Sequence, residues 1–388
     1  LNLVGAVFFF GVTALRGLAA AQVGVAPAAE PALPDLPLRL PHYTVLVPLY
    51  REANMVPELV VALNALDWPR DRLDIKLLLE ADDTETIAAA RAATAGAPYE
   101  VVVIPAIGPR TKPKALAFAL PFARGAFVTV YDAEDRPHPA QLREAYDAFR
   151  ASGPDVACFQ APLVINNGRA NWLTLSFAVE YAALFDGLLP LLAGLRMPLP
   201  LGGTSNHFRR EALERVGGWD PYNVTEDADL GIRLARFGYR CLTLDLPTLE
   251  EAPLRLGAWV GQRTRWFKGW LQTWLVHMRH PVRLGRELGP RGTLGFLLIG
   301  TGLVLSSVIY PVYLVTLLAM VTEPLSLWGD GGILAAVVVG VNLFNLGAGY
   351  LAMAVLSGRA LRMRGRHEEA AGIILLPIYW LLMSYASY

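Results

Sequence analysis

The period of apolar and polar positions changes twice along this chain. Residues 1–25 are apolar except for Asn2, Arg16 and Gln22. That length suits a transmembrane helix with Arg16 reaching towards the interface. A signal peptide is the other reading, but the run lacks basic leading residues. A Pro-rich linker follows at 26–42. From Tyr43 short apolar runs alternate with helical ones: strands at Tyr43–Leu49, Ile75–Leu79, Glu100–Ile104 and Ala126–Tyr131, helices at Val56–Leu66, Thr84–Ala95 and Lys114–Arg124. Such alternation predicts a mostly parallel α/β sheet covered on both faces. Asn171–Leu195 follows as a mainly apolar helical stretch interrupted by Pro190. A helix capped by Thr225 then runs to about Arg236, before a strand at Cys241–Leu246.

The second change comes near 255. Trp259, Trp266, Trp270 and Trp274 recur at helical spacing with Arg263, Arg265 and Lys268 among them, which predicts an amphipathic helix at a membrane interface over 255–292. Trp259, Trp270 and Trp274 are expected to be its interface residues. The region 293–388 is membrane-like, with spans expected at about 293–320, 332–356 and 370–388, the last short enough to lie at the interface instead. The loop from Thr322 to Asp330 is acidic, whereas the next carries Arg359, Arg362, Arg364 and Arg366. By the positive-inside rule that basic loop and the α/β domain face the cytoplasm, as in a multi-pass protein of a bacterial-type inner membrane.

Composition agrees: 54% of the 388 residues are hydrophobic and 18% charged, too apolar for an ordinary soluble protein. The formal net charge is zero, so no overall field recruits nucleic acid. Cys158 and Cys241 match no metal spacing and read as buried, reduced thiols. The chain begins without Met and ends inside an apolar run at Tyr388, as a portion of a longer protein would.

Ligands of such sheets bind beyond the carboxyl ends of the strands. Those ends carry Glu52, the pair Asp82-Asp83, and Asp132-Ala133-Glu134-Asp135, carboxylates that repel one another unless a cation sits among them. No Gly-x-Gly-x-x-Gly or Walker-type loop follows a strand, which disfavours a dinucleotide fold or a P-loop NTPase. His138 and His207 stand near these motifs and read as structural.

In order, the motifs are Pro48-Leu49-Tyr50-Arg51-Glu52, Asp82-Asp83, Lys112-Pro113-Lys114-Ala115, Asp132-Ala133-Glu134, Thr225-Glu226-Asp227 and Gln262-Arg263-Thr264-Arg265-Trp266. Together they resemble the membrane-embedded family 2 glycosyltransferases, the group of cellulose, chitin and hyaluronan synthases, over roughly Tyr43 to Trp274. The resemblance implies a GT-A (Rossmann-like nucleotide-diphospho-sugar transferase) domain at 43–254, inserted between transmembrane helices. Asp227, beside Glu226, would be the base that takes the acceptor proton. Glu52, Asp82 or Asp83, Lys114, Asp132, Arg263 and Arg265 would hold the UDP-sugar donor. Mg2+ or Mn2+ would sit on Asp132 with Glu134 or Asp135, a choice left open because Glu134 replaces the family's second Asp. Gln262, Trp266, Gly203, Thr204 and Ser205 would lie at the acceptor end, Trp266 under a sugar ring whose C–H face is apolar.

The resulting expectation is an inverting hexosyltransferase that polymerises a β-linked glycan, with a β-glucan as first choice, from a UDP-sugar, with UDP-glucose as first choice, and exports it through its helices across the lipid bilayer. A non-processive enzyme sugar-coating a diacylglycerol or polyprenyl phosphate would use the same donor site. An inactive scaffold or receptor is a third reading, and the full carboxylate set speaks against it.

Overall fold

The structure, a computed structural model, describes residues 3–24, 39–322 and 332–388. Of the expected Pro-rich linker only 39–42 falls within these residues, and the acidic loop at 323–330 lies outside them.

Ten strands form two sheets: β1 Tyr43–Leu49, β2 Leu73–Glu80, β3 Tyr99–Ile104, β4 Phe127–Val130, β5 Arg136–Pro137, β6 Val156–Gln160, β7 Leu163–Ile165, β8 Asn206–Arg209, β9 Arg240–Thr243 and β10 Thr248–Glu250. The larger sheet has the order β3-β2-β1-β4-β8-β6-β9, and the smaller has the order β5-β10-β7. β1 to β4 are parallel, as their unbroken apolar runs predict, whereas β8 lies antiparallel to both β4 and β6. The sequence pattern did not reveal β8 or the small sheet, because their strands are two to four residues long.

Helices α2 Val56–Asn64, α3 Thr84–Ala93, α4 Lys112–Ala119 and α5 Gln141–Ala151 fill the crossovers. One face of the sheet packs against α2 and α5 through Val45, Val47, Leu59, Phe149 and Phe159. In that core Tyr43 donates to, or accepts from, His207 Nδ1 at 2.7 Å, and burial pushes the imidazole down to about 3, so His207 is a neutral structural group. Cys158 and Cys241 are buried free thiols facing each other in the β6–β9 register.

The other face shares its core with apolar helices. Leu46, Leu78 and Val130 join one cluster with α6 Trp172–Ala183, α7 Leu189–Gly194, α1 Leu3–Gln22, α13 Gly332–Met363 and α14 Leu376–Ser387. Pro190 does not interrupt the helical stretch as expected. The chain passes from α6 to α7 through a wide π turn at Leu184–Leu188, and Pro190 stands in the first turn of α7, where no backbone donor is missed.

The remaining helices are α8 Arg210–Arg215, α9 Glu226–Arg236, α10 Leu256–His277, α11 Pro281–Phe296 and α12 Gly302–Thr322. Among the described residues four helices are long and apolar enough to cross a membrane: Gly5–Gln22, Trp172–Gly194, Val339–Met363 and His367–Ser387. A fifth appears if Pro281–Thr301 and Val304–Val312 count as one span, and that pair bends by 47° where a straight span was expected at 293–320. Beyond α13, Arg364 donates to Asp186 and to the Asp245 carbonyl at 2.9 Å, so the basic end of that helix lies against the sheet domain.

Candidate active site

The carboxyl ends of β1, β2 and β4 place the acidic motifs as expected, but they divide them into different tasks. Asp83 caps α3 by accepting from the Thr86 amide at 3.2 Å, and it also accepts from the Arg51 amide. Asp82 pairs at 2.9 Å with Arg110 on the rim. Glu52 accepts from the Tyr50 amide at 3.2 Å; burial, with Glu134 and Asp132 nearby, raises it to about 7.

Asp132, two residues past β4, has its carboxylate on the Lys112 ammonium, which also donates to the Gly203 carbonyl at 2.7 Å. Burial alone would lower the Lys112 ammonium, but Asp132, Glu226 and Asp135 around it hold it above its ordinary value. Lys114 is the lysine that the sequence reading expects on the donor. Lys114 donates instead to Glu80 at 2.9 Å and to the carbonyls of Pro105 and Ile107, closing the loop after β3. Two residues apart at a helix start, the two lysines point to different sides, and position in the motif could not say which faces the cleft.

Asp135 is buried and holds the turn together, accepting from the Asp132 amide at 2.7 Å and from the Thr204 hydroxyl. Its remaining oxygen has no partner, and burial plus Asp132 push its carboxyl well up. Asp135 therefore reads as a support for the Asp132 turn. Glu134, raised by burial and by Asp132, faces the cleft with Asp132. Among the described residues no three His, Cys, Asp or Glu side chains stand close enough to enclose a metal. Asp132 and Glu134 fit a Mg2+ or Mn2+ that takes one or two protein carboxylates and completes its shell from substrate phosphates.

Across the cleft, Glu226 and Asp227 open α9. Thr225 occupies the cap position without a side-chain cap bond; its hydroxyl faces Asn223 and Thr273 instead. α10 comes so close that a Cβ at Gly269 would meet Thr225 Cγ2 at 2.6 Å and the Thr225 amide at 2.9 Å. Asp227 accepts from the Ala228 amide at 2.7 Å, and burial raises it to about 6. Burial, reinforced by Asp227, raises Glu226 to about 8. Asp229 pairs with Arg233 one turn along α9 at 2.6 Å and ties α9 to α10 through His277 at 2.9 Å. Gly203 lies between Asp227 and Lys112: a Cβ there would stand 3.5 Å from Asp227 Oδ2 and 3.7 Å from Lys112 Nζ. Its neighbours are structural, Thr204 bonding the Val130 carbonyl at 3.2 Å and Ser205 bonding Thr248 at 2.7 Å.

The tryptophan helix is the largest departure from expectation. Arg263, expected on the donor, is 2% exposed and makes a two-armed pair with Glu180 at 2.8 and 2.6 Å. Its guanidinium lies 4.5 Å from the ring centres of Phe177 and Trp266, and the Tyr379 hydroxyl accepts from it at 2.9 Å. Trp259 is fully buried and donates to that hydroxyl at 3.2 Å, and Trp274 donates to Thr301 at 2.9 Å. The tryptophans thus face the protein, and Leu271, Leu275 and Val276 form the outward apolar face. Arg265 is exposed at the cleft and makes no ion pair among the described residues.

A cavity of about 770 Å³ joins these parts. Lys112, Asp132, Glu134, Gly203, Thr204, Glu226, Asp227, Gln262, Arg263, Arg265 and Trp266 line one end, and side chains of α1, α12, α13 and α14 line the other. Glu250, absent from the sequence-derived set, also lines it, with one buried oxygen unpaired and its carboxyl pushed well up by burial and by Asp135 and Asp132. Glu52, Asp82, Asp83, Lys114, Asp135 and Ser205 lie outside the cavity wall.

Residues 127–340, more than half of the chain, match the family described as glycosyl transferase family group 2. A probable glycosyltransferase of Sulfolobus acidocaldarius is 27% identical over 239 residues, covering 59% of this chain and 50% of its own length. The cellulose synthase 1 catalytic subunit (UDP-forming) of Komagataeibacter xylinus is 29% identical over 275 residues, 68% of this chain and 35% of its own. The beta-monoglucosyldiacylglycerol synthase of Synechocystis is 28% identical over 244 residues, 62% of this chain and 50% of its own. This chain spans half or less of the length of these relatives. Among solved structures, the mannosyltransferase PcManGT from Pyrobaculum calidifontis, in complex with GDP-Man and Mn2+, has a TM-score of 0.56 at 21% identity, covering 87% of this chain and 95% of its own. With its mixed sheet of GT-A type and this family match, the chain belongs to the family group 2 glycosyl transferases.

Proposed function

We propose that this chain is a membrane-held, inverting hexosyltransferase that takes a nucleoside-diphosphate sugar and passes the sugar to an acceptor presented from the bilayer. The observation that carries the reading is the single cavity running from Asp132 and Asp227 to the faces of α1, α12, α13 and α14. Asp227 is the base: with Glu226 holding the proton of the pair at neutral pH, Asp227 is free to accept one from the attacking hydroxyl. Lys112 and Arg265 face the cleft and suit the donor diphosphate. A divalent cation on Asp132 and Glu134 would offset charge developing on the leaving diphosphate. UDP-glucose is the first donor to try, in line with the UDP-forming relative.

Of the two acceptors that the sequence suggests, a lipid fits the cavity better, because its membrane half is walled by apolar side chains such as Phe9, Val12, Leu298, Leu346 and Met353. A growing glycan is the second reading, favoured by Trp266 and Gln262 on the wall near the base. The sheet domain would lie on the cytoplasmic side of an inner membrane. Incubation in nanodiscs with a panel of labelled nucleotide sugars tests the reading by product size. Products of one or two sugars that extract into organic solvent are expected; long, lipid-free chains would establish the polymer instead.

A further inference from the structure

Arg16 is the one charged residue of α1, six residues or roughly 9 Å from its last residue. A guanidinium stays charged at any working pH, and placing it within an apolar helix is unfavourable unless an acceptor meets it. The other arginines that reach between the helices each find one. Arg263 has Glu180, Arg359 the Val23 carbonyl at 2.7 Å, Arg364 Asp186 and Arg366 Glu369. Arg16 alone of this set has none among the described residues, where it lies over the Trp380 ring, 5.8 Å from the ring centre. It lines the cavity at the membrane end, beside Thr13 one turn earlier. Gly349 of α13 borders that corner: a Cβ there would touch Thr13 Oγ1 at 3.4 Å and Arg16 Nη1 at 4.0 Å.

We infer that this corner is a phosphate site, and that the acceptor is a lipid whose phosphate rests on Arg16 and Thr13 while its head reaches towards Asp227. A planar guanidinium matches the oxygens of a phosphate with two parallel bonds, and a hydroxyl can supply a third. The cations at the other end of the cavity, Lys112 and Arg265, are taken by the donor diphosphate in the proposed function, which leaves Arg16 for the acceptor's phosphate. The inference rests on the reading of the cavity as the acceptor's and adds the charge that the acceptor must carry.

The test uses the full chain in phosphatidylcholine nanodiscs with a small fraction of undecaprenyl phosphate or of undecaprenol, and native mass spectrometry to read retained lipid. Retention of the phosphate over the alcohol by about tenfold is expected of the wild type. Arg16→Gln should erase that preference and Arg16→Lys should keep part of it, with UDP–Mn2+ affinity unchanged in both. Absence of a preference in the wild type, whatever the variants do, overturns the inference, as does a preference that survives Arg16→Gln. Displacement of the lipid by an equal concentration of inorganic phosphate would overturn the lipid source. Transfer to a neutral lipid with no phosphate preference would sink this inference and leave the proposed function standing. Long, lipid-free product with retained phosphate preference would leave Arg16 as a lipid-phosphate site but overturn the lipid acceptor, here and in the proposed function.

Discussion

Asp227 and Glu226 are consecutive carboxylates with the same chemistry in water, and burial at the start of one helix separates them. Because the raised value of Asp227 is about 6, its base form predominates above that pH and is lost below it. Turnover at saturating donor should therefore fall about tenfold per pH unit below about 6; a flat profile down to pH 5 would remove Asp227 as the base. Asp227→Asn should lower transfer by ~10²–10⁴-fold while nucleotide binding persists, measured by calorimetry beside the transfer assay. The arginines separate by partner. Arg263→Ala leaves Glu180 without its cation and should cost about 3–5 kcal/mol of stability, seen in thermal unfolding. Arg265→Ala should leave the melting temperature alone and weaken nucleotide-diphosphate binding on the order of tenfold. Motif position alone suggested the same role for both, because Glu180 lies 83 residues from Arg263 and no local pattern announces the pair.

Among the elements, α10 carries the most consequence. Its periodicity correctly placed four tryptophans on a shared stripe, but periodicity does not say whether that stripe meets lipid or protein. Here α14 and the turn at Leu297–Thr301 meet it, through Tyr379 and Thr301. Gly269 lets the same helix press on the turn that presents Glu226 and Asp227. Gly269→Val should force the two apart, costing about 1–3 kcal/mol and lowering turnover more than nucleotide affinity; unchanged kinetics would mean that the junction does not position the base. Long elements were legible where burial is simple. β1 was read to the residue, Tyr43–Leu49, since both its faces are covered. β8 and β10 were not, although β8 follows the Gly203–Ser205 turn and β10 contributes Glu250, because strands of four and three residues leave no period to read.

At the scale of the molecule, the sheet domain and the apolar helices share one core and one cavity. The resemblance of the six motifs to family 2 transferases anticipated the first association, through the order of the motifs and their end where the long apolar runs begin. The cavity's reach into the helices, and the place of the Arg16 guanidinium at its far end, depend on packing between α1 and α13, more than 300 residues apart in sequence, which no local pattern encodes. The claim on which everything else rests is inverting transfer by Asp227 from a nucleotide sugar. It is tested most directly by incubating the full chain in nanodiscs with labelled UDP-glucose and Mn2+, wild type beside Asp227→Asn, and reading the new glycosidic bond by NMR. A β-linked product that forms with the wild type, stops with EDTA and disappears in a variant that still binds UDP is expected. An α-linked product, or equal turnover by the variant, would contradict the account.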